Sequence, residues 1–131
     1  MEKELLESYR SKKAEIRELT NKILRMEDED SMVGNDTILD YRSGYPVPQA
    51  VVGVDHGKIK RMENRYRNRI QKLKDECASV EDFIESIPDS LTRRIFRLRF
   101  LEGYTQNQIS RKVHLDQSRV SRKIDYFLKN A

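Results

Sequence analysis

The stretch TQNQISRKVHLDQSRVSRKIDYFLKN, residues 105–130, contains the start signals of two consecutive helices. Thr105 and Gln108 form a capping-box pair, in which each side chain satisfies a backbone amide of the other residue. Asp116 is a favourable N-cap for a second helix. Residues 113–115 lie between the two helices and predict a tight turn. Inward-facing apolar residues are expected at Ile109, Val113, Val120, Ile124, Phe127 and Leu128.

His114 stands at the turn position that glycine often holds. A residue there is expected to adopt positive φ, which histidine tolerates better than branched residues.

Another helix is predicted upstream of this pair. Pro88 ends the preceding helix, and either Asp89 or Ser90 can cap the new one. Glu102-Gly103 ends it. The apolar residues at helical spacing are Leu91, Ile95, Leu98 and Leu101, with Phe96 and Phe100 beside them, and the other faces carry Arg93, Arg94, Arg97 and Arg99.

Two helices joined by a tight turn, with a polar outer face on the second, predict a helix-turn-helix. Amide and guanidinium groups match the donors and acceptors of base edges, and short side chains allow close approach. The candidates for base contacts are Gln117, Ser118, Arg119, Ser121 and Arg122. The candidates for phosphate contacts are Thr105, Gln106, Arg111, Lys112, Lys123 and Lys129, which would add affinity but no sequence preference.

The positive charge is concentrated in the last third of the chain. Residues 1–87 carry 16 Lys/Arg and 18 Asp/Glu, whereas residues 88–131 carry 10 Lys/Arg and 4 Asp/Glu. This asymmetry favours a polyanion-binding end, although a solvated basic face would give the same count. We therefore predict two domains, a helical scaffold at 1–87 and a DNA-binding domain at 88–131.

The first helix is predicted from Glu2 to about Met26, because this span lacks Gly and Pro. We expect it to fray at residues 27–30, whose four carboxylates are unfavourable at a helix C-terminus. Its seam has the spacing of a heptad repeat and consists of Leu5, Tyr9, Lys12, Ile16, Leu19, Ile23 and Met26.

A second long helix is predicted from near Asp55 to about Ser86, as one helix despite a cap-like Ser79. Each long helix has a single apolar stripe and needs a partner, so we predict a coiled-coil-like hairpin or pairing between chains. The stripe consists of Ile59, Met62, Tyr66, Ile70, Leu73, Cys77, Val80, Ile84 and Ile87.

Residues 31–57 are predicted to be irregular, because they hold four of the five glycines and two of the three prolines. The segment Tyr41–Pro48 is either an ordered excursion packed on the hairpin or a docking surface for a partner.

Several functional classes are excluded or disfavoured. Charged residues make up 37% of the chain and hydrophobic residues only 37%, so one large core is not expected. The apolar runs are too short to cross a bilayer, and no secretory signal is present, which indicates a cytoplasmic protein. His56 and His114 are far apart, and Cys77 is read as a buried structural thiol, so we predict no metal, no cofactor and no catalytic residues.

The segment Ser90–Thr105, together with Gln108-Ile109-Ser110 and the helix at 117–129, resembles the helix-turn-helix of sigma-70 region 4. The resemblance implies binding to a promoter −35 element and contact with RNA polymerase. The whole chain, with its Tyr-Arg-x-Gly-Tyr-Pro segment between two long helices, resembles small phage and prophage late-gene regulators of Gram-positive bacteria, of the RinA/ArpU kind. No sigma region 2 is present, which disfavours a complete sigma factor.

We therefore predict an all-α, sequence-specific DNA-binding transcriptional regulator with a C-terminal trihelical helix-turn-helix module. Its predicted partners are double-stranded DNA, a second copy of the chain and, through the resemblance, RNA polymerase, but no membrane. One alternative is a phage DNA-packaging protein similar to small terminases, or a recombination accessory protein. Another is a coiled-coil interaction module that does not bind DNA.

Overall fold

The computed structural model describes the backbone of residues 1–39 and 56–130 and the side chains of residues 1–28 and 56–130. These residues form six α-helices and one π-helical turn, and no strand occurs among them, which confirms the all-α prediction. The elements are α1 (Lys3–Glu7), α2 (Tyr9–Leu39), α3 (His56–Glu85), α4 (Ser90–Phe96), the π turn (Arg97–Leu101), α5 (Gln106–Val113) and α6 (Gln117–Asn130).

The predicted first helix is interrupted at Ser8. The Ser8 hydroxyl donates to the Leu5 carbonyl oxygen at 2.8 Å, a local bond that competes with regular helix geometry. Beside this break Leu6 is fully buried, whereas Leu5 is 41% exposed. The prediction of Leu5 as a seam residue was wrong, because the heptad count assumes an unbroken helix.

Helix α2 continues through the acidic run at residues 27–30 and ends only at Leu39. The predicted fraying was therefore wrong, and residues 31–39 of the predicted irregular segment are helical. The dipole effect acts within the last turn of a helix, and these four carboxylates lie well before that turn.

Helix α3 is a single helix, as predicted. The Ser79 hydroxyl donates to the Asp75 carbonyl oxygen at 3.1 Å and so does not cap a new helix. Cys77 is buried, which agrees with a structural thiol, and burial raises its pKa. The proposed cap Asp55 and the segment Tyr41–Pro48 lie outside the described residues.

The chain divides into two compact units. The first consists of Met1–Ala14 and Leu73–Ala131, and the second of Glu15–Lys72. In the first unit Tyr9 donates to Glu81 at 2.5 Å and Lys12 pairs with Glu76 at 2.5 Å.

In the second unit Arg67 pairs with Glu27 at 2.8 Å, and the Lys22 ammonium lies 5.7 Å from the centre of the Tyr66 ring. Helices α2 and α3 thus contact each other within one chain in each unit.

The core of the first unit is built from distant parts of the chain. The N-terminal segment, the end of α3 and the three C-terminal helices all contribute. The buried residues are Leu6, Tyr9, Leu73, Cys77, Val80, Ile84, Ile87, Thr92, Ile95, Phe96, Phe100, Ile109, Val120 and Ile124. This unit is larger than the predicted domain at 88–131, because that domain packs against residues before Pro88.

The π turn changes which residues of the third predicted helix are buried. The Glu102 amide donates to the Arg97 carbonyl oxygen at 3.1 Å, a bond that spans five residues instead of four. Phe96, which precedes this turn, and Phe100, within it, are buried, whereas Leu98 and Leu101 are half-buried. The regular α-helical spacing had placed Leu98 and Leu101 on the apolar stripe, with Phe96 and Phe100 beside it.

None of the helices in residues 1–39 and 56–130 has the length and apolar character needed to span a bilayer.

We expect Leu6→Ala to lower the free energy of unfolding by about 2–5 kcal/mol, because it empties a fully buried site. Leu5→Ala is the matched control, with the same change at the neighbouring helical residue, and should cost no more than about 0.5 kcal/mol. Urea denaturation followed by circular dichroism measures both variants. Equal losses would show that the N-terminal segment does not belong to this core.

The cap of α4 generates a pH-dependent prediction. The Asp89 carboxylate accepts from the Thr92 amide at 3.0 Å and from its hydroxyl at 2.6 Å, and these bonds lower the pKa of Asp89. Because the folded-state pKa lies below the unfolded value, the stabilisation is present above the unfolded pKa and is lost as pH falls through the folded one. We expect Asp89→Ala to lower the thermal midpoint at neutral pH, and the difference from wild type to shrink below the ordinary aspartate pKa of 3.8.

Ser90→Ala is the control for this cap, because Ser90 was the other candidate. Its thermal midpoint should follow that of the wild type at every pH, and a loss equal to that of Asp89→Ala would contradict the assignment.

Candidate nucleic-acid interface

Helices α5 and α6 form the predicted helix-turn-helix. The capping box at the start of α5 is complete, since the Gln108 amide donates to the Thr105 hydroxyl at 3.2 Å and the Thr105 amide donates to the Gln108 side chain at 2.9 Å. Ile109 and Val120 are both fully buried, which anchors one helix at each side of the turn.

The turn between α5 and α6 depends on His114. Its φ of 59° and ψ of 41° lie in the left-handed region, and it is the only such non-glycine residue in the described part of the chain. The Leu115 amide then donates to the Ser110 carbonyl oxygen at 3.1 Å, which closes the end of α5. The expectation of positive φ at this residue is confirmed.

Helix α6 begins at Gln117, directly after the proposed cap Asp116, whose carbonyl oxygen accepts from the Val120 amide at 3.0 Å. Val120 and Ile124 are buried, and Phe127 and Leu128 are half-buried. One side of α6 is therefore committed to the core and the other side faces solvent.

The five predicted base-contacting residues all lie in the first two turns of α6. Gln117, Ser118, Arg119 and Arg122 are exposed, whereas Ser121 is half-buried. With 3.6 residues per turn, Ser118 and Arg122 lie opposite the buried Val120–Ile124 side. Ser121 lies nearer the core, so its hydroxyl has less room to reach a ligand than that of Ser118.

The predicted phosphate contacts are less uniform. Arg111, Lys112 and Lys129 are exposed on α5 and α6, whereas Gln106 and Lys123 are half-buried. Thr105 is exposed, and its hydroxyl oxygen accepts the capping bond, while its proton remains available to donate to a phosphate.

Two aromatic residues near this face were not predicted. Tyr126 is 72% exposed. Arg122 follows Arg119 after three residues and Tyr126 follows Arg122 after four, which is the spacing of one helix face. That spacing was visible in the sequence and could have indicated it. Tyr104 lies under Lys112, whose ammonium is 4.8 Å from the ring centre. No sequence signal predicts this second contact, because Tyr104 precedes the cap of α5.

Two of the four acidic residues of the module, Asp89 and Asp125, have side-chain partners. Asp89 accepts from Thr92, and Asp125 on α6 lies 3.7 Å from the Lys3 ammonium. Both members of the second pair are more than half exposed, so it is a weak interaction in water. It nonetheless places one more positive charge beside α6.

No group of three or more His, Cys, Asp or Glu side chains that could hold a metal ion occurs in the part of the chain that the structure describes.

Residues 89–130 match the family described as Sigma-70, region 4. No curated protein and no solved structure matched the chain. The matched range begins at the cap of α4 and ends with α6, so it covers the three helices and the exposed face described above. Region 4 of sigma-70 is a DNA-binding domain and not a catalytic one, which is consistent with the prediction that the protein is not an enzyme. Residues 89–130 are therefore a sigma-70 region 4-like helix-turn-helix domain, which supports a DNA-binding regulator.

Proposed function

We propose that this protein is a sequence-specific transcriptional regulator of phage or prophage genes that acts on double-stranded DNA in the cytoplasm. The observation that carries the proposal is the outer face of α6, which presents amide, hydroxyl and guanidinium groups within the matched domain. In this proposal residues 88–131 form the DNA-binding domain and residues 1–87 the scaffold.

The proposed docking places α6 in the major groove. Gln117 would bind an adenine edge, and Arg119 and Arg122 would bind guanines, because these side chains match the donor and acceptor pattern of those bases. Arg111, Lys112 and Lys129 would contact phosphates on either side and set the register. Tyr126 lies beyond Arg122 on the same face and would contact the sugar-phosphate backbone through its hydroxyl.

We expect Arg119→Ala and Arg122→Ala each to weaken binding to duplexes selected from a random library by roughly 1–3 kcal/mol, and to relax the preference over random duplexes. Fluorescence anisotropy on both kinds of duplex at one salt concentration measures this. Arg17→Ala is the control, because it removes the same charge from α2, far from α6 in sequence. Unchanged binding, or an equal loss on selected and random duplexes, would refute base reading by α6.

We further propose that the regulator is a homodimer assembled through the second unit. Among its described side chains only Ile23 is buried, whereas Met26, Ile59, Met62 and Tyr66 remain half-buried around a groove of about 370 Å³. A pair of helices with so little buried apolar surface gains stability by covering the groove with a second copy.

Light scattering should then give twice the chain mass of 15.6 kDa. Met62→Lys should give a monomer, and circular dichroism should show that its helices are intact. A footprint of the dimer should show half-sites roughly 10–10.5 bp apart or a multiple of it. A monomeric wild type would refute the dimer, and a ring of many subunits would favour the packaging alternative.

Contact with RNA polymerase is the remaining part of the proposal and rests on the family resemblance. Its test is co-purification of polymerase with the regulator on promoter DNA, compared with the same regulator carrying Arg119→Ala and Arg122→Ala.

A further inference from the structure

The slightly acidic total of the scaffold hides a strongly basic segment. Residues 56–72, the first half of α3, carry seven Lys/Arg and a single acidic residue, Glu63. The acidic residues that balance this charge are elsewhere in the scaffold, many of them on α2. The division of charge at residue 87 therefore does not identify every basic surface of the protein.

Four of these basic residues form a stripe along one flank of α3. Arg61, Arg65, Arg69 and Lys72 follow one another at steps of four, four and three residues, which is the spacing of one helix face. All four are exposed. With a rise of about 1.5 Å per residue the basic stripe is roughly 16 Å long, a length over which one DNA strand carries about five phosphates.

The side chains of the basic stripe have no ion-pair or hydrogen-bond partner in the part of the chain whose side chains the structure describes. In residues 1–28 and 56–130 none of its four members forms an ion pair or a side-chain hydrogen bond. Arg67 differs, since it lies on the other flank and pairs with Glu27 at 2.8 Å. The two flanks of the same helix therefore have different roles, one binding α2 and the other facing solvent.

The surroundings of the basic stripe are polar, and within residues 56–72 the face of the stripe carries no carboxylate; Asp75 and Glu76 follow one turn after Lys72. The outermost side of this part of α3 carries Asn64, Asn68 and Gln71, all exposed. Glu63 falls on the other side of the helix by the 3.6-residue period. A surface of guanidinium, ammonium and amide groups without apolar residues matches a phosphate backbone better than a protein partner, because protein interfaces are enriched in aromatic side chains and depleted in lysine.

The apolar side of the same segment is already directed toward α2. Ile59, Met62 and Tyr66 are half-buried, and Lys22 of α2 lies over the Tyr66 ring. Insertion of α3 into a lipid surface would need that apolar side, so a membrane is disfavoured as the ligand.

We propose that the basic stripe is a second DNA-binding surface, which contacts the phosphate backbone of duplex DNA without reading its sequence. The inference rests on the proposed function only in taking duplex DNA as the ligand, and it does not depend on base reading by α6. The basic stripe would add affinity and salt dependence, and α6 would supply sequence preference.

The test compares two triple variants of the full chain that lose the same charge from the same helix. The first variant removes three of the four charges of the basic stripe, by Arg61→Gln, Arg65→Gln and Arg69→Gln. The second removes three charges from the opposite flank, by Lys60→Gln, Arg67→Gln and Lys74→Gln. Binding to a random-sequence duplex is measured by fluorescence anisotropy over a series of salt concentrations. We expect the slope of log K against log salt to fall by roughly 2.7 in the first variant, about 0.9 for each lost phosphate contact, and to stay close to wild type in the second.

Equal changes of the slope in both variants would show that only net charge matters. An unchanged slope in both variants would show that the basic stripe is a solvated face. Either result would overturn the proposal. If the first variant loses binding to phosphatidylserine vesicles while its slope of log K for DNA against log salt is unchanged, the basic stripe binds membranes. That result would also overturn the proposal. The preference for selected over random duplexes is recorded in the same titrations. If that preference is absent while the slope changes as expected, the proposed function fails and the second DNA surface stands.

Discussion

Phe96 is fully buried, and its ring lies against three other phenylalanine rings that come from three separate elements. The ring centres are 6.4 Å from Phe83 of α3, 5.4 Å from Phe100 of the π turn and 5.3 Å from Phe127 of α6. Tilted and edge-on pairs of this kind contribute about 0.5–1.5 kcal/mol each beyond their buried area. The position of α6, and therefore of the exposed residues on its outer face, depends on this aromatic cluster.

The N-terminal segment contacts the same unit from another side. Leu6 is buried, and the Arg10 guanidinium lies so close to Gly103 that a Cβ atom there would overlap it. Gly103 also has a φ of 77°, which a side chain would oppose. The positive φ is what favours glycine there, because the Arg10 guanidinium is the end of a flexible side chain and can move aside. A helix-turn-helix that could be read as a separate C-terminal domain is thus completed by residues from the other end of the chain.

Charge has different roles in different parts of the protein. The carboxylate of Glu81 accepts from Tyr9, and burial together with this bond raises the pKa of Tyr9, so the tyrosine remains a neutral donor. Arg67 and Glu27 link α3 to α2 in the second unit. The basic stripe and three residues of α6, by contrast, face solvent, where long side chains remain available to a polyanion; the three are Arg119, Arg122 and Lys129.

The features that could be predicted from the sequence are those set by neighbouring residues. The Thr105–Gln108 capping box, the positive φ of His114 and the unbroken α3 all depend on residues a few positions apart, so their spacing is sufficient information. The start of α4 was predicted in the same way, but only the structure decided between Asp89 and Ser90 as its cap. The same holds for most of the exposed face of α6, because the helical period assigns one side to the core.

The wrong predictions concern features that depend on distant contacts. Leu6, next to the break at Ser8, and Phe100, within the π turn, are buried, whereas the regular period had placed Leu5 and Leu101 on the apolar stripes. Neither the break at Ser8 nor the π turn has a strong local signal in the sequence. Each is favoured because the residues that it turns inward cover apolar surface in the assembled unit. The core shared between Leu6, α3 and the three C-terminal helices likewise exists only once residues far apart in sequence are packed together.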